Sequence, residues 1–264
     1  MFNFLIDTAD EKYIKNKWDF LKQHISGKYV VGITTNPNAF YKVNDFSMEQ
    51  WFSRAKKLAD LLEQIRGDKE GELHIQFPNS ELTEDLFKKW CDKLESLNLS
   101  NIKLFIKVPP FSNCLEIAEK YFKNINVTGV SDSGTALNAL SYEISYLSII
   151  PGRMEEVGIN AKNHVKYIQS RKKDNKKIIT GSMRTLECLK WCVELDTVPT
   201  IGTRVFDLFN ENNIKDIVQW EKQEFENIKF CPFIDERNVS LSTNFFKQMD
   251  EMGELCYKNL LGAF

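Results

Sequence analysis

The 264 residues carry 35 Lys+Arg against 37 Asp+Glu, a formal net charge of −2 that excludes the basic excess of a dedicated nucleic-acid binder. With 42% hydrophobic and 27% charged residues, the chain can bury a large core and is neither disordered nor low in complexity. Length alone leaves two domains or one barrel open, because single α/β barrels reach about 250 residues.

Short apolar runs rich in β-branched residues recur along the chain, with helical patterns between them. In order they are NFLIDT (3–8), VVGITT (30–35), ELHIQFP (72–78), NIKLFIKVP (101–109), NINVTGV (124–130), SYLSIIP (145–151), KKIITGS (176–182) and TVPTIG (197–202). The segments between them include AKKLADLLEQI (55–65), where Leu58, Leu61, Leu62 and Ile65 repeat at helical spacing. This alternation is the mark of parallel α/β architecture, and eight strand-helix units in about 210 residues predict a closed (β/α)8 TIM barrel. A doubly wound sheet is disfavoured, since neither G-x-G-x-x-G nor a P-loop occurs. The whole of 1–264 reads as one domain, with 214–264 as a C-terminal helical extension. That extension is predicted as two helical stretches, 214–229 and 241–261, joined around Cys231-Pro232-Phe233 and covering the barrel or a neighbouring subunit.

The cluster RKKDNKK (171–177) reads as a solvated loop. Six scattered cysteines without a Cys-x-x-Cys pair suggest neither a zinc ribbon nor a disulfide scaffold, and Cys188 and Cys192, four apart, read as one core-facing helix surface. A reducing, cytoplasmic setting is expected. The N-terminal MFNFLIDTAD has no basic n-region and meets Asp7 at once, so neither a secretory signal nor a membrane span is expected. Three histidines far apart (His24, His74, His164) argue against a histidine-built metal centre, and no metal is expected.

In a closed parallel barrel alternate residues face the lumen, and chemistry gathers at the carboxyl ends of the strands. Strand parity that buries Leu104 and Ile106 among the helices points Lys107 into the lumen. Such a lysine is either half of a buried ion pair or an amine whose pKa desolvation lowers, able to attack a carbonyl. Asp7 ends the first strand and reads as a proton-moving carboxylate or as an N-cap for the helix beginning near Asp10. Asn36 in TTNPN is either a turn residue before Pro37 or a donor to substrate. Gln76, Asn126 and Thr128 have lumen parity and could hold hydroxyl groups or form a satisfied polar layer; His74, one layer lower, reads as packed. Arg153, Ser182 and Arg184, just past the sixth and seventh strands, make an anion site, although rim salt bridges would account for either arginine alone.

The ordered series IDTA (6–9), GITTNP (32–37), FIKVP (105–109), INVT (125–128), LSIIPGR (147–153) and GSMR (181–184) resembles the transaldolase and fructose-6-phosphate aldolase family over about residues 4–202. The resemblance implies a metal-free class I barrel enzyme without a cofactor, in which Lys107 forms a Schiff base with C2 of a ketose phosphate such as fructose 6-phosphate or sedoheptulose 7-phosphate. Cleavage between C3 and C4 leaves a dihydroxyacetone unit on the lysine. A transaldolase of the pentose phosphate pathway passes that unit to an aldose phosphate; an aldolase protonates and releases it. By the same resemblance Asp7 handles the C4 hydroxyl proton, Asn36 and Asn126 donate to the dihydroxyacetone portion, and Ser148 contacts the substrate. Thr128 helps hold the catalytic water, and Arg153, Ser182 and Arg184 clamp the phosphate. A homo-oligomer is a family-level expectation.

Two positions depart from the family pattern. Gln76 stands where transaldolases place a glutamate, as in the aldolase branch, and Ile150 stands where the aldolase branch places a tyrosine and transaldolases commonly phenylalanine. Transaldolase-type transfer is therefore the favoured expectation on Ile150, aldolase cleavage the competitor on Gln76, and a sugar-phosphate-binding barrel without turnover the third reading.

Overall fold

The computed structural model describes residues 2–262, with the backbone alone for 255–262, and closes eight parallel strands into a barrel in chain order. β1 (Phe4–Asp7) leads to α1 (Glu11–Leu21), β2 (Val30–Thr34) to α2 (Pro37–Lys42) and α3 (Met48–Arg66), and β3 (Gly71–Gln76) to α4 (Glu84–Glu95). β4 (Ile102–Val108) leads to α5 (Ser112–Tyr121), β5 (Ile125–Val130) to α6 (Ser133–Ser141), and β6 (Tyr146–Ile149) to α7 (Pro151–Glu156) and α8 (Ala161–Gln169). β7 (Lys177–Thr180) is followed by α9 (Leu186–Glu194), and β8 (Val198–Gly202) by α10 (Thr203–Phe206), α11 (Ile214–Ile217) and α12 (Glu236–Gly262). The expected TIM barrel with a C-terminal helix is the fold observed.

Strand alternation divides the core into two layers. Ile6, Ile33, Leu73, Ile106, Val127, Leu147, Ile178 and Ile201 pack outward against the helices, while Leu5, Phe105, Tyr146 and Ile179 form a separate cluster inside the barrel. Helix α3 shows how the outer layer is made. A capping box between Ser47 and Gln50 starts it, and Trp51, Ala55, Leu58, Leu62 and Ile65 bury one stripe. Cys188 and Cys192 lie buried on the inner face of α9. Among the described residues, no helix is long and apolar enough to cross a membrane.

Three expectations need correction. The stretch 214–229 is not one helix: α11 covers four residues, and 220–235 has no regular secondary structure. Its apolar residues Trp220 and Phe225, five positions apart, do not share one helical face. They instead anchor an extended strap against the core, whose backbone is held by Arg171 at the Ile228 and Lys229 carbonyls. Helix α12 then starts at 236 rather than 241, because Asp235 accepts from the Arg237 amide and Asn238 Oδ1 accepts from the Asp235 amide, satisfying the first turn.

The lysine cluster is likewise not wholly solvated. Lys176 is only 1% exposed and its ammonium donates to the Leu140 and Tyr142 carbonyls at the C-terminus of α6, where free carbonyls and the helix dipole favour a cation.

Candidate active site

Lys107 occupies the position that strand parity assigned to it, buried in the lumen near the end of β4. Its Nζ donates to the Thr34 hydroxyl at 3.0 Å and to the Thr35 carbonyl at 2.9 Å. No carboxylate among the described residues lies within ion-pair distance, so the buried-ion-pair alternative fails. Burial pushes the amine down to about 8, against the opposing charge of Asp7.

Asp7 ends β1 and faces the same space. The capping role falls to Asp10, whose carboxylate accepts from the Tyr13 amide, and the Asp7 carboxylate has no hydrogen-bond partner among the described residues. Burial raises its pKa, opposed by Lys107, Lys42, Arg184 and Arg153. A carboxyl moved up and an amine moved down, at one strand-end layer, are the shifts that acid-base chemistry near neutral pH requires.

A small cavity of about 30 Å³ opens above the amine, lined by Asp7, Asn36, Gln76, Lys107, Thr128 and Ser148 together with Thr34, Thr200 and Phe245. Gln76 is 3% exposed, and its Oε1 is buried without a protein partner, leaving one acceptor directed at whatever fills the space. Asn36 caps α2, its Oδ1 accepting from the Ala39 amide, which leaves its amino group free for a ligand. Ser148 Oγ donates to Asn126 Oδ1 at 2.7 Å. Asn126 itself is fully buried and is not among the residues that line the cavity.

Asp7, Asn36, Ser182 and Phe245 also line a larger, outer cavity of about 340 Å³, so the two spaces adjoin. Its wall carries Arg153, Ser182 and Arg184, together with Lys42 and Arg204. Four cations facing one acidic side chain make an electropositive mouth suited to a phosphate group. The rim salt bridge considered for a lone arginine is also real: Arg184 Nε donates to Glu156 at 2.8 Å, while its Nη1 donates to the Ser182 carbonyl at 2.7 Å. Ser182 is held at φ +55°, and Gly152 of the PGR turn lets the backbones approach, since a Cβ there would stand 2.0 Å from the Ser182 carbonyl oxygen. Arg153 lies over the Phe245 ring at 5.0 Å and donates to Gln248, while its Nε is buried without a partner.

The roof comes from α12 of the same chain. Ile150, Phe245, Phe246 and Met249 form an apolar cluster over the mouth. Asn238 is tied to Ser131, Gln248 to Arg153 and Asp250 to Ser80. Sequence reasoning missed Thr34, Lys42, Arg204 and this roof. Thr34 shares the lumen parity of Gly32, and the signal for Arg204 was present: LSIIPGR, TGSMR and TIGTR each place an arginine just beyond consecutive strand ends. The apolar spacing of Phe245 and Met249 reveals a buried helix face but not what that face covers.

Among the described residues, no group of three or more His, Cys, Asp or Glu side chains is arranged to hold a metal ion. No family model matches the sequence, and no curated protein matches it. Solved structures do resemble the fold. Orotidine 5'-phosphate decarboxylase from Lactobacillus acidophilus aligns with a TM-score of 0.51 at 12% identity, covering 83% of this chain and 100% of its own. A protein provisionally assigned as a fructose-1,6-biphosphate aldolase from Coccidioides immitis aligns at 0.53 and 11% identity, covering 98% and 92%. At such identities the likeness establishes the barrel and nothing finer.

Proposed function

We propose that this chain is a Schiff-base enzyme of sugar phosphates that transfers a dihydroxyacetone unit from a ketose phosphate to an aldose phosphate, as transaldolases do. The observation that carries the reading is the buried Lys107 amine, lowered to about 8 and, among the described residues, unpaired with any carboxylate, beneath a cavity walled by arginines. A phosphate held by Arg153, Ser182 and Arg184 would place the other end of the sugar toward the amine.

In this mechanism the Lys107 amine attacks C2 of the ketose, and the carbinolamine loses water to give an iminium. Asp7 takes the C4 hydroxyl proton as the C3–C4 bond breaks, and the electron pair moves into the enamine. The aldehyde leaves. An aldose phosphate then enters, the enamine carbon attacks its carbonyl, and Asp7 returns the proton to the new hydroxyl; water adds to the iminium so formed, and the carbinolamine collapses to release the new ketose phosphate and the free Lys107 amine. Gln76 cannot act as a base, but its free Oε1 can accept from a hydroxyl or water at the carbinolamine stage.

The apolar roof of Ile150, Phe245 and Met249 favours transfer over cleavage, since it shields the enamine from the water that would protonate it. Gln76 favours aldolase-type cleavage as the second reading, because that branch carries glutamine there.

Borohydride trapping with fructose 6-phosphate and peptide mass spectrometry tests the chemistry. A dihydroxyacetone-sized adduct on Lys107 is the expected result; no adduct with any ketose phosphate would overturn the reading. Turnover that requires an aldose phosphate acceptor separates transfer from cleavage.

A further inference from the structure

Beneath the cavity, a line of buried polar side chains crosses the barrel interior. Tyr146 OH donates to the Glu72 carboxylate at 2.7 Å, and Glu72 Oε2 lies 3.2 Å from His74 Nε2. His74 Nδ1 lies 3.0 Å from Asn126 Nδ2, and Asn126 Oδ1 accepts from Ser148 Oγ at 2.7 Å. The imidazole is stacked on Phe105 at 4.5 Å and is fully buried, as is Asn126. The mechanism above uses neither His74 nor Glu72.

Each contact in this line constrains the next. Burial opposes ionisation of Glu72, but its hydrogen bonds from His74 and Tyr146 and the charge of Lys177 together hold it below the ordinary carboxylate range, so it only accepts. His74 Nε2 must therefore carry the proton. Burial also favours the neutral imidazole, which leaves Nδ1 as a bare acceptor. Asn126 must then present its amino group to the ring and its carbonyl to Ser148, and the Ser148 proton is committed to that carbonyl. Only lone pairs of Ser148 remain for the cavity it lines.

We propose that His74 is a positioning residue that, through Asn126, fixes Ser148 as an obligate hydrogen-bond acceptor for a hydroxyl group beside the ketose carbonyl. This rests on the proposed function for the identity of the ligand, but the orientation of the line does not. The consequence is selectivity for a ketone that carries a hydroxyl beside its carbonyl, because a ketone without one leaves the Ser148 acceptor unpaired.

Two measurements test it on the full-length chain. Nitrogen-15 NMR of the histidine rings, with His74→Asn to assign the signal, is expected to show His74 protonated at Nε2 and bare at Nδ1 at pH 7. A proton on Nδ1, or on both nitrogens, overturns the proposal without any substrate. Rates of borohydride-trapped imine formation are then compared for hydroxyacetone and acetone. His74→Phe keeps the ring on Phe105 but removes the acceptor, and should shrink the wild-type preference for hydroxyacetone about tenfold. His74→Asn, whose Oδ1 can stand in for Nδ1, should restore it. A merely structural role would slow both ketones alike in both variants, and that result also overturns the proposal. Absence of any imine in the wild type would instead overturn the proposed function, with the NMR result still deciding the orientation of the line.

Discussion

Lys107 and Thr34 stand in a relationship that sets the direction of the candidate nucleophile: Nζ donates to Thr34 Oγ1 at 3.0 Å and to the Thr35 carbonyl at 2.9 Å. A neutral amine has two N–H bonds and one lone pair. With both bonds given to β2, the lone pair is the remaining tetrahedral position and points away from that strand, toward the cavity. Replacing Thr34 by valine removes one anchor while keeping most of the volume. The expected result is a fall in kcat of about tenfold with KM nearly unchanged, because the contact orients the nucleophile rather than holding substrate. A change confined to KM would assign Thr34 to substrate binding instead.

The lowered pKa of Lys107 has consequences for both rate and stability. Imine formation should rise with pH up to about 8 and then level off, since the ammonium form has no lone pair. The stability sign follows from the same shift. Between about 8 and the ordinary 10.5 the unfolded chain binds the proton and the folded chain does not, so this group's contribution to stability grows as pH rises through that window. Below about 8 the buried ammonium costs up to about 3 kcal/mol. Lys107→Met should therefore lose all covalent trapping yet unfold at equal or higher denaturant concentration than the wild type at pH 7. Normal trapping in that variant would remove the Schiff-base assignment, and a large loss of stability would mean that the ammonium is better satisfied than its two contacts indicate.

Much of this site was readable because period-two alternation is a strong constraint. Once Leu104 and Ile106 are placed among the helices, Lys107 can only face the lumen, and the same reasoning orients Asp7, Gln76 and Thr128. Parity does not give depth. It placed Asn126 in the lumen but could not show that Asn126 stays out of the cavity wall while its hydrogen-bond partner Ser148 lines it. Period-3.6 reasoning failed on 214–229, where tertiary anchoring of Trp220 and Phe225 replaces a helical stripe. The course of α12 over the mouth was unreadable for a related reason: its ties, such as Asn238 to Ser131, join residues about a hundred positions apart.

Arg184 connects the phosphate reading to a measurable split. Its guanidinium reaches Glu156 and the Ser182 carbonyl, and it faces the outer cavity, remote from the bond that would break. Arg184→Ala should raise KM for phosphorylated ketoses by roughly one to two orders of magnitude while leaving free dihydroxyacetone nearly unaffected. Equal effects on the two would mean that the variant acts through the Ser182 turn, which Arg184 also braces, and the phosphate assignment would fall.

Gly129 sits immediately after Thr128, at φ +77°, a backbone conformation that side-chain-bearing residues rarely adopt. A Cβ there would also stand 2.4 Å from Phe246 Cζ and 2.8 Å from Phe245 Cε1, on the face of α12 that roofs the site. Gly129→Ala therefore combines backbone strain with displacement of the roof, and a destabilisation of about 2 kcal/mol or more is expected. The barrel beneath is closed without α12, so the loss should be uneven. Amide hydrogen exchange should quicken over 236–254 while β4 and β5 stay protected. With the apolar cover loosened, water gains access to the enamine, and the ratio of released dihydroxyacetone to transferred product should rise. Uniform loss of protection across the strands would show instead that α12 is an inseparable part of the barrel's cooperative core, and an unchanged ratio would mean that the roof does not govern access of water.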